Sequence, residues 1–154
     1  MAEHDILVSI DPAFGARIAA DWLTGVARIT LEMERTPSCQ LSVVVTGDEQ
    51  IRQLNREFAG EDHATDVLSF SLCEGETFVA PDDTDRLGEV IVSFETAERQ
   101  ADEARHHVED EVAHLLVHGV LHILGYDHAE PPEELRMRSR ERLILSELGY
   151  EAHA

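Results

Sequence analysis

The chain of 154 residues contains no lysine. All twelve of its basic residues are arginines, set against 32 acidic residues, for a net charge of −20. That balance excludes non-specific adhesion to nucleic acid through bulk charge, which needs a net attraction to phosphate. It leaves room for a local basic patch, or for a metal ion that receives a phosphate. Cysteine is nearly absent as well. Cys39 and Cys73 lie far apart and in no CxxC pattern, so they give neither a disulfide framework nor an obvious zinc ligand, and they fit a reducing compartment. No apolar stretch approaches the roughly 20 residues of a membrane span. Met1-Ala2-Glu3-His4-Asp5 lacks the basic start and apolar run of a signal peptide. These absences predict a cytoplasmic protein without membrane attachment.

The length suits one domain, 1–154, around one core. Ile6-Leu7-Val8-Ser9-Ile10 reads as a strand, and Asp11-Pro12 as the start of a helix. Ile18, Trp22, Val26, Ile29 and Met33 then recur at helical spacing until Pro37. Leu41 to Val45 is a β-branched strand candidate, and Asp48 is placed to cap a helix carrying Ile51, Leu54 and Phe58. Strands are expected at Asp66–Phe70 and Glu89–Ser93, with a surface loop over Glu74–Arg86 between them. Helices are expected at Glu95–Ala104 and Val108–Leu124. A last one opens at Pro131-Pro132, carries Leu135, Leu143, Ile144 and Leu148, and stops at Gly149. The predicted class is α+β: a small mixed sheet of about four strands packed with about five helices, resembling a zinc hydrolase.

The most informative stretch is His118-Gly119-Val120-Leu121-His122-Ile123-Leu124-Gly125-Tyr126-Asp127-His128. A spacing of four puts His118 and His122 on one face of a helix. Gly125 can take positive φ, so the chain can turn there and bring His128 back to the same point. Three imidazoles from a helix and the loop after it make a three-coordinate zinc site with one position left for water, which separates a catalytic zinc from a structural one. The expected cofactor is one zinc ion per chain, with nitrogen-to-metal distances of ~2.0–2.1 Å. Imidazole would also accept nickel, copper or iron. The spacing is similar to the elongated motif of metzincin peptidases, whose general base is a Glu directly after the first His. Here that residue is Gly119, so the frame of a metal hydrolase is present without the peptidase base.

The resemblance extends beyond the histidines. HGVLHILGYDH at His118–His128 resembles the signature of the YbeY family of bacterial endoribonucleases. Leu54-Asn55-Arg56-Glu57-Phe58 with Thr65-Asp66-Val67-Leu68-Ser69-Phe70 is similar to a second block of that family. Leu87–Ser93 is similar to a third, and Glu111–Val117 leads into the histidines as in the family. The likeness runs in the same order from Leu41 to Glu147. It implies one zinc held by His118, His122 and His128. It further implies cleavage of single-stranded RNA, maturation of ribosomal RNA at the 3′ end of the small-subunit RNA, and ribosome quality control. The implied partners are the small ribosomal subunit and an Era-like GTPase.

One departure stands out. The family usually carries an aromatic-Arg-Gly triplet after the second block, and its Arg is implicated in activity. This chain has Phe58-Ala59-Gly60, followed by Glu61. Phosphodiester hydrolysis needs a cation on the equatorial oxygens besides the metal, and Arg56 or Arg99 is the expected substitute, although each also reads as an ordinary solvated helix residue. The alternative is a metal-containing ribosome-assembly factor that does not cleave. Asp127 reads either as a partner to a ligand imidazole or as a turn residue. His114, one turn before His118, is expected to line the pocket, since a fourth ligand would close the site. His106 and His107 are expected on the surface at a helix start. Asp66 reads as a turn or capping residue.

Overall fold

The computed structural model describes residues 3–72, 86–126 and 129–150. His128, Asp127, Cys73 and almost all of the predicted 74–86 loop fall outside the described residues. Four strands are described: β1 (His4–Ile10), β2 (Cys39–Thr46), β3 (Val67–Ser71) and β4 (Arg86–Ser93). The five helices are α1 (Ala20–Met33), α2 (Asp48–Ala59), α3 (Phe94–Ala104), α4 (Val108–Ile123) and α5 (Pro131–Leu148). The sheet order is β1-β2-β4-β3. β1, β2 and β4 run parallel, and β3 is antiparallel to β4 at the edge. The sheet is therefore mixed, as expected for an α+β chain.

Register explains how the sheet receives its helices. Val8 lies opposite Val43, Val43 opposite Val90, and Val90 opposite Ser69. Side chains alternate along a strand, so these residues share a face with Ile6, Leu41, Val45 and Val92. The core grows on that face, from Leu23, Val26, Ala27 and Leu31 of α1, Val112, Leu116, Val120 and Leu121 of α4, and Ile144 and Leu145 of α5. The expected inward packing of Leu115, Leu116 and Leu121 is observed. The opposite face is only partly covered, leaving Leu7 exposed.

Three local expectations need correction. Asp11 does cap, accepting the Ala13 N–H at 3.0 Å, but the segment it caps is a single 3-10 turn, Pro12–Phe14. The long helix begins only at Ala20, and its buried stripe is Leu23, Val26, Ala27, Thr30 and Leu31 rather than the stripe through Trp22, Ile29 and Met33. Asp48 does not cap α2. Its own N–H donates to Glu95 Oε1 at 2.9 Å, while its carboxylate accepts from Ser93 Oγ and Thr96 Oγ1, each at 2.6 Å. The first turns of α2 and α3 are thus clasped together. In α5 the buried positions are Met137, Glu141, Ile144 and Leu145, whereas Leu135 and Leu143 are exposed.

Among the described residues no helix is long and apolar enough to cross a membrane.

Candidate metal centre

The site is built on α4. Its start is fixed by a capping box: His107 takes the backbone of the third helical residue, and Asp110 accepts the His107 N–H at 3.2 Å. Glu109, Asp110 and Glu111 place negative charge at the positive end of the helix dipole. Ten of its residues, from Glu111 to Ile123, are buried. His114, His118 and His122 follow at intervals of four, one turn apart on one side. His114 is 20% and His118 31% exposed at the side chain, and His122 is exposed. Burial thus falls away along the stripe towards the C-terminal end of the helix.

α4 lies close on the sheet because small residues face it. A Cβ on Gly119 would sit 2.7 Å from Val90 Cγ1 and 2.9 Å from Ser69 Oγ. Position 119 therefore looks into β3 and β4, and a longer side chain has no room there. This is the physical reason the chain cannot carry the peptidase glutamate at that position. Beyond the helix, Gly125 adopts φ +107°, which turns the chain. Tyr126 is held directly after that turn: its hydroxyl donates to Glu34 Oε1 at 2.6 Å, and Arg140 donates to Glu34 Oε2 at 2.8 Å. The Glu34 side chain is 7% exposed, so α1, α5 and the turn after α4 meet in a buried polar junction. Burial and the hydrogen bond to Glu34 push the Tyr126 hydroxyl above its ordinary value.

Glu141 of α5 is the residue that organises the histidines. Its side chain is 8% exposed. Oε2 lies 2.6 Å from His118 Nδ1, and Oε1 lies 3.3 Å from His114 Nε2. Burial pushes this carboxyl up, but the hydrogen bonds from His114 and His118 outweigh it and lower it to about 2. An ionised carboxylate only accepts. His118 must therefore carry its proton on Nδ1, and in the neutral ring its lone pair is on Nε2. A carboxylate behind a ligand imidazole is the arrangement that fixes tautomer and orientation in metal sites. An imidazole prepared in this way suits a nitrogen-binding cation such as zinc, and among the described residues it has only His122 as a neighbouring donor one turn on, with no group of three gathered.

A cleft of about 630 Å³ opens beside these residues. Its walls include His114, His118, Glu141, Asp66, Gln100 and Arg138. Gln100 Nε2 donates to Asp66 Oδ2 at 3.3 Å, and Asp66 Oδ1 accepts the Val67 N–H at 2.8 Å. Asp66 thus caps the start of β3 and also faces the cleft. Neither Arg56 nor Arg99 is among the described residues lining it. Arg56 is exposed in the last turn of α2. Arg99 pairs with Asp48 at 2.8 Å and belongs to the clasp between α2 and α3. Ala59 is exposed at the end of α2. The arginine that does line the cleft is Arg138.

Sequence reasoning missed Glu141 and Arg138. The signal for Glu141 was present: it falls four residues after Met137 and three before Ile144, an acid in the middle of an apolar helical stripe. A charge in that place is buried only with partners. Arg138 carries no comparable signal, because its place on the cleft wall is visible only once α5 is laid beside α4.

The chain is similar to known proteins over most of its length. The family model described as Endoribonuclease YbeY matches residues 13–149. A protein named Endoribonuclease YbeY from Dehalococcoides mccartyi is 41% identical over 154 residues, covering 94% of this chain and 96% of that one. One of the same name from Desulforamulus reducens is 44% identical over 126 residues, covering 80% and 82%. One from Roseiflexus castenholzii is 38% identical over 154 residues, covering 97% of each. The solution structure of TM1509 from Thermotoga maritima superposes with a TM-score of 0.59, at 23% identity over 94% of this chain and 91% of that one. That last likeness speaks to the fold, whereas the family match and the identities above it settle kinship: this chain belongs to the YbeY family.

Proposed function

We propose that this chain is a zinc-dependent endoribonuclease that cuts single-stranded RNA in the maturation of ribosomal RNA. Its relatives are named endoribonucleases, and the observation in the molecule that carries the reading is the bond between His118 Nδ1 and the buried Glu141 carboxylate at 2.6 Å. A buried carboxylate that accepts from the Nδ1 side of the His118 ring makes sense when the Nε2 side has a cation to hold. His118, His122 and His128 are the proposed ligands. A zinc ion held by them would supply Lewis-acid chemistry and the activation of water at neutral pH.

The chain's own residues supply the rest. Glu141 keeps His118 in one tautomer and orientation, so the ligand is pre-organised rather than recruited. His114 donates to the second oxygen of Glu141 and thereby fixes the carboxylate itself. Gly119 lets α4 approach the sheet closely enough to bring the histidine stripe to the cleft wall. Arg138 offers the phosphate a planar cation, in place of the Arg56 and Arg99 contacts expected from the sequence. The proposed setting is the small ribosomal subunit, its quality control, and an Era-like GTPase as partner, in the cytoplasm.

Ala59 favours a second reading, a metal-containing assembly factor that does not cleave. The two separate in one assay. Purified protein with zinc bound is expected to cut single-stranded RNA, to stop when the metal is chelated, and to recover when zinc is returned. Zinc-loaded protein that leaves the RNA intact would favour the assembly factor, and Ala59→Arg would then report whether only a phosphate contact is missing.

A further inference from the structure

The charge on α5 is not spread like the charge elsewhere. Four of the twelve arginines, Arg136, Arg138, Arg140 and Arg142, fall within seven residues of a chain whose net charge is −20. The helix divides them. At about 100° per residue, Arg136 and Arg138 stand roughly 200° apart. The buried positions Met137, Glu141, Ile144 and Leu145 lie between them. The two arginines therefore flank the face by which α5 is seated. Arg140 is committed to the buried Glu34.

Each flank opens on a hollow. Arg138 lines the cleft with His114, His118 and Glu141. Arg136 lines a second hollow of about 530 Å³, with Leu124, Gly125, Tyr126 and Glu133, at the turn that ends α4. His118 stands at one hollow and Gly125 at the other, so the histidine-bearing end of α4 lies between them. Arg142 lines neither.

We propose that α5 is the phosphate track of this protein, with Arg138 and Arg136 each contacting the backbone of a single-stranded RNA that crosses the histidine end of α4. The inference rests on the endoribonuclease reading and adds to it the residues that hold the substrate. Electrostatics makes the two positions decisive. The first hollow presents the carboxylates of Asp66, Glu111, Glu134 and Glu141, and Arg138 is the one lysine or arginine among its described lining residues. Arg138 pairs with Glu134 at 2.8 Å, with side chains 50% and 42% exposed. A pair this exposed is weak, whereas a guanidinium on a phosphate forms a charge-assisted, bidentate contact. RNA can therefore displace Glu134 at little cost. The track also supplies the cation that Ala59 removes, from a different element of the fold.

The test is binding of a fluorescein-labelled, 2′-O-methyl single-stranded RNA to the zinc-loaded full chain, followed by anisotropy across a salt series. The modified strand keeps the phosphate charge, and a denaturing gel after each titration checks that it is intact. Arg136→Gln with Arg138→Gln should weaken binding at least ~10-fold at low salt. It should also reduce the slope of log affinity against log salt by about 1.4, two contacts at ~0.7 each. Arg142→Gln should bind like the parent. The paired Arg→Lys variant keeps both charges and should retain the slope, which separates lost contacts from a disturbed helix. If the parent binds and the double Gln variant keeps its affinity and slope, the track is wrong and the RNA reading stands. If the parent binds no RNA at any salt, both fall together.

Discussion

Replacing Glu141 with alanine is expected to lower zinc affinity by about 10- to 100-fold, the usual cost of losing a partner behind a ligand imidazole, and to destabilise the metal-free protein by about 2–4 kcal/mol. The second figure comes from two hydrogen bonds to one ionised, buried acceptor, at 2.6 and 3.3 Å, whose donors lose their partner together. Both effects are measurable without any activity assay, by competition with a chromophoric chelator and by urea denaturation of the chelated protein. Glu141→Gln keeps an acceptor oxygen of the same size and should fall between alanine and the parent in both. Parental zinc affinity in the alanine variant would remove Glu141 from the site.

The second large effect concerns the position where metzincin peptidases keep their base. Gly119→Glu is expected to abolish folding rather than confer peptidase chemistry. The first carbon of the new side chain already meets Val90 at 2.7 Å and Ser69 at 2.9 Å, and the carboxylate would follow it into the contact between α4 and the sheet without a partner. Even Gly119→Ala should be destabilising by about 1–2 kcal/mol. Overpacking at a β-branched core residue costs ~1–3 kcal/mol, and the better helix propensity of alanine returns at most ~1 kcal/mol. Circular dichroism and thermal melting decide the matter. A Gly119→Glu variant that melts cooperatively near the parent would show that α4 does not lie on the sheet as described.

Much of the fold was readable from the chain, for identifiable reasons. Helical spacing gave α4 to within a residue, because ten buried positions on one helix leave a strong periodic pattern. Short apolar runs, β-branched at Leu41–Val45, gave the four strands. Their order could not be read, since pairing β2 with β4 depends on contacts more than forty residues apart. The same limit explains the errors. Asp48 looked like a cap because Asp at a helix start usually is one. Here Glu95, 47 residues away, took the backbone N–H and freed the carboxylate for Ser93 and Thr96. Leu135 and Leu143 fit an apolar helix by composition, yet the face of α5 that is buried carries Met137 and Glu141 instead. That neither Arg56 nor Arg99 lines the described cleft could not be read either, because sequence spacing says nothing of which helix end borders a cleft. The placement of His118 and His122 one turn apart on α4 was legible because an i, i+4 spacing is local; the carboxylate beside His118, 23 residues away, was not.

The central claim is that the histidines of α4 and the turn after it hold a metal in an open, nitrogen-rich site. X-ray absorption at the zinc edge of the loaded protein tests it most directly. The expected spectrum has three imidazole nitrogens at ~2.0–2.1 Å and one light oxygen donor, losing one imidazole in His122→Ala. A first shell containing sulfur, a fourth protein nitrogen that closes the site, or a spectrum unchanged by His122→Ala would contradict the account.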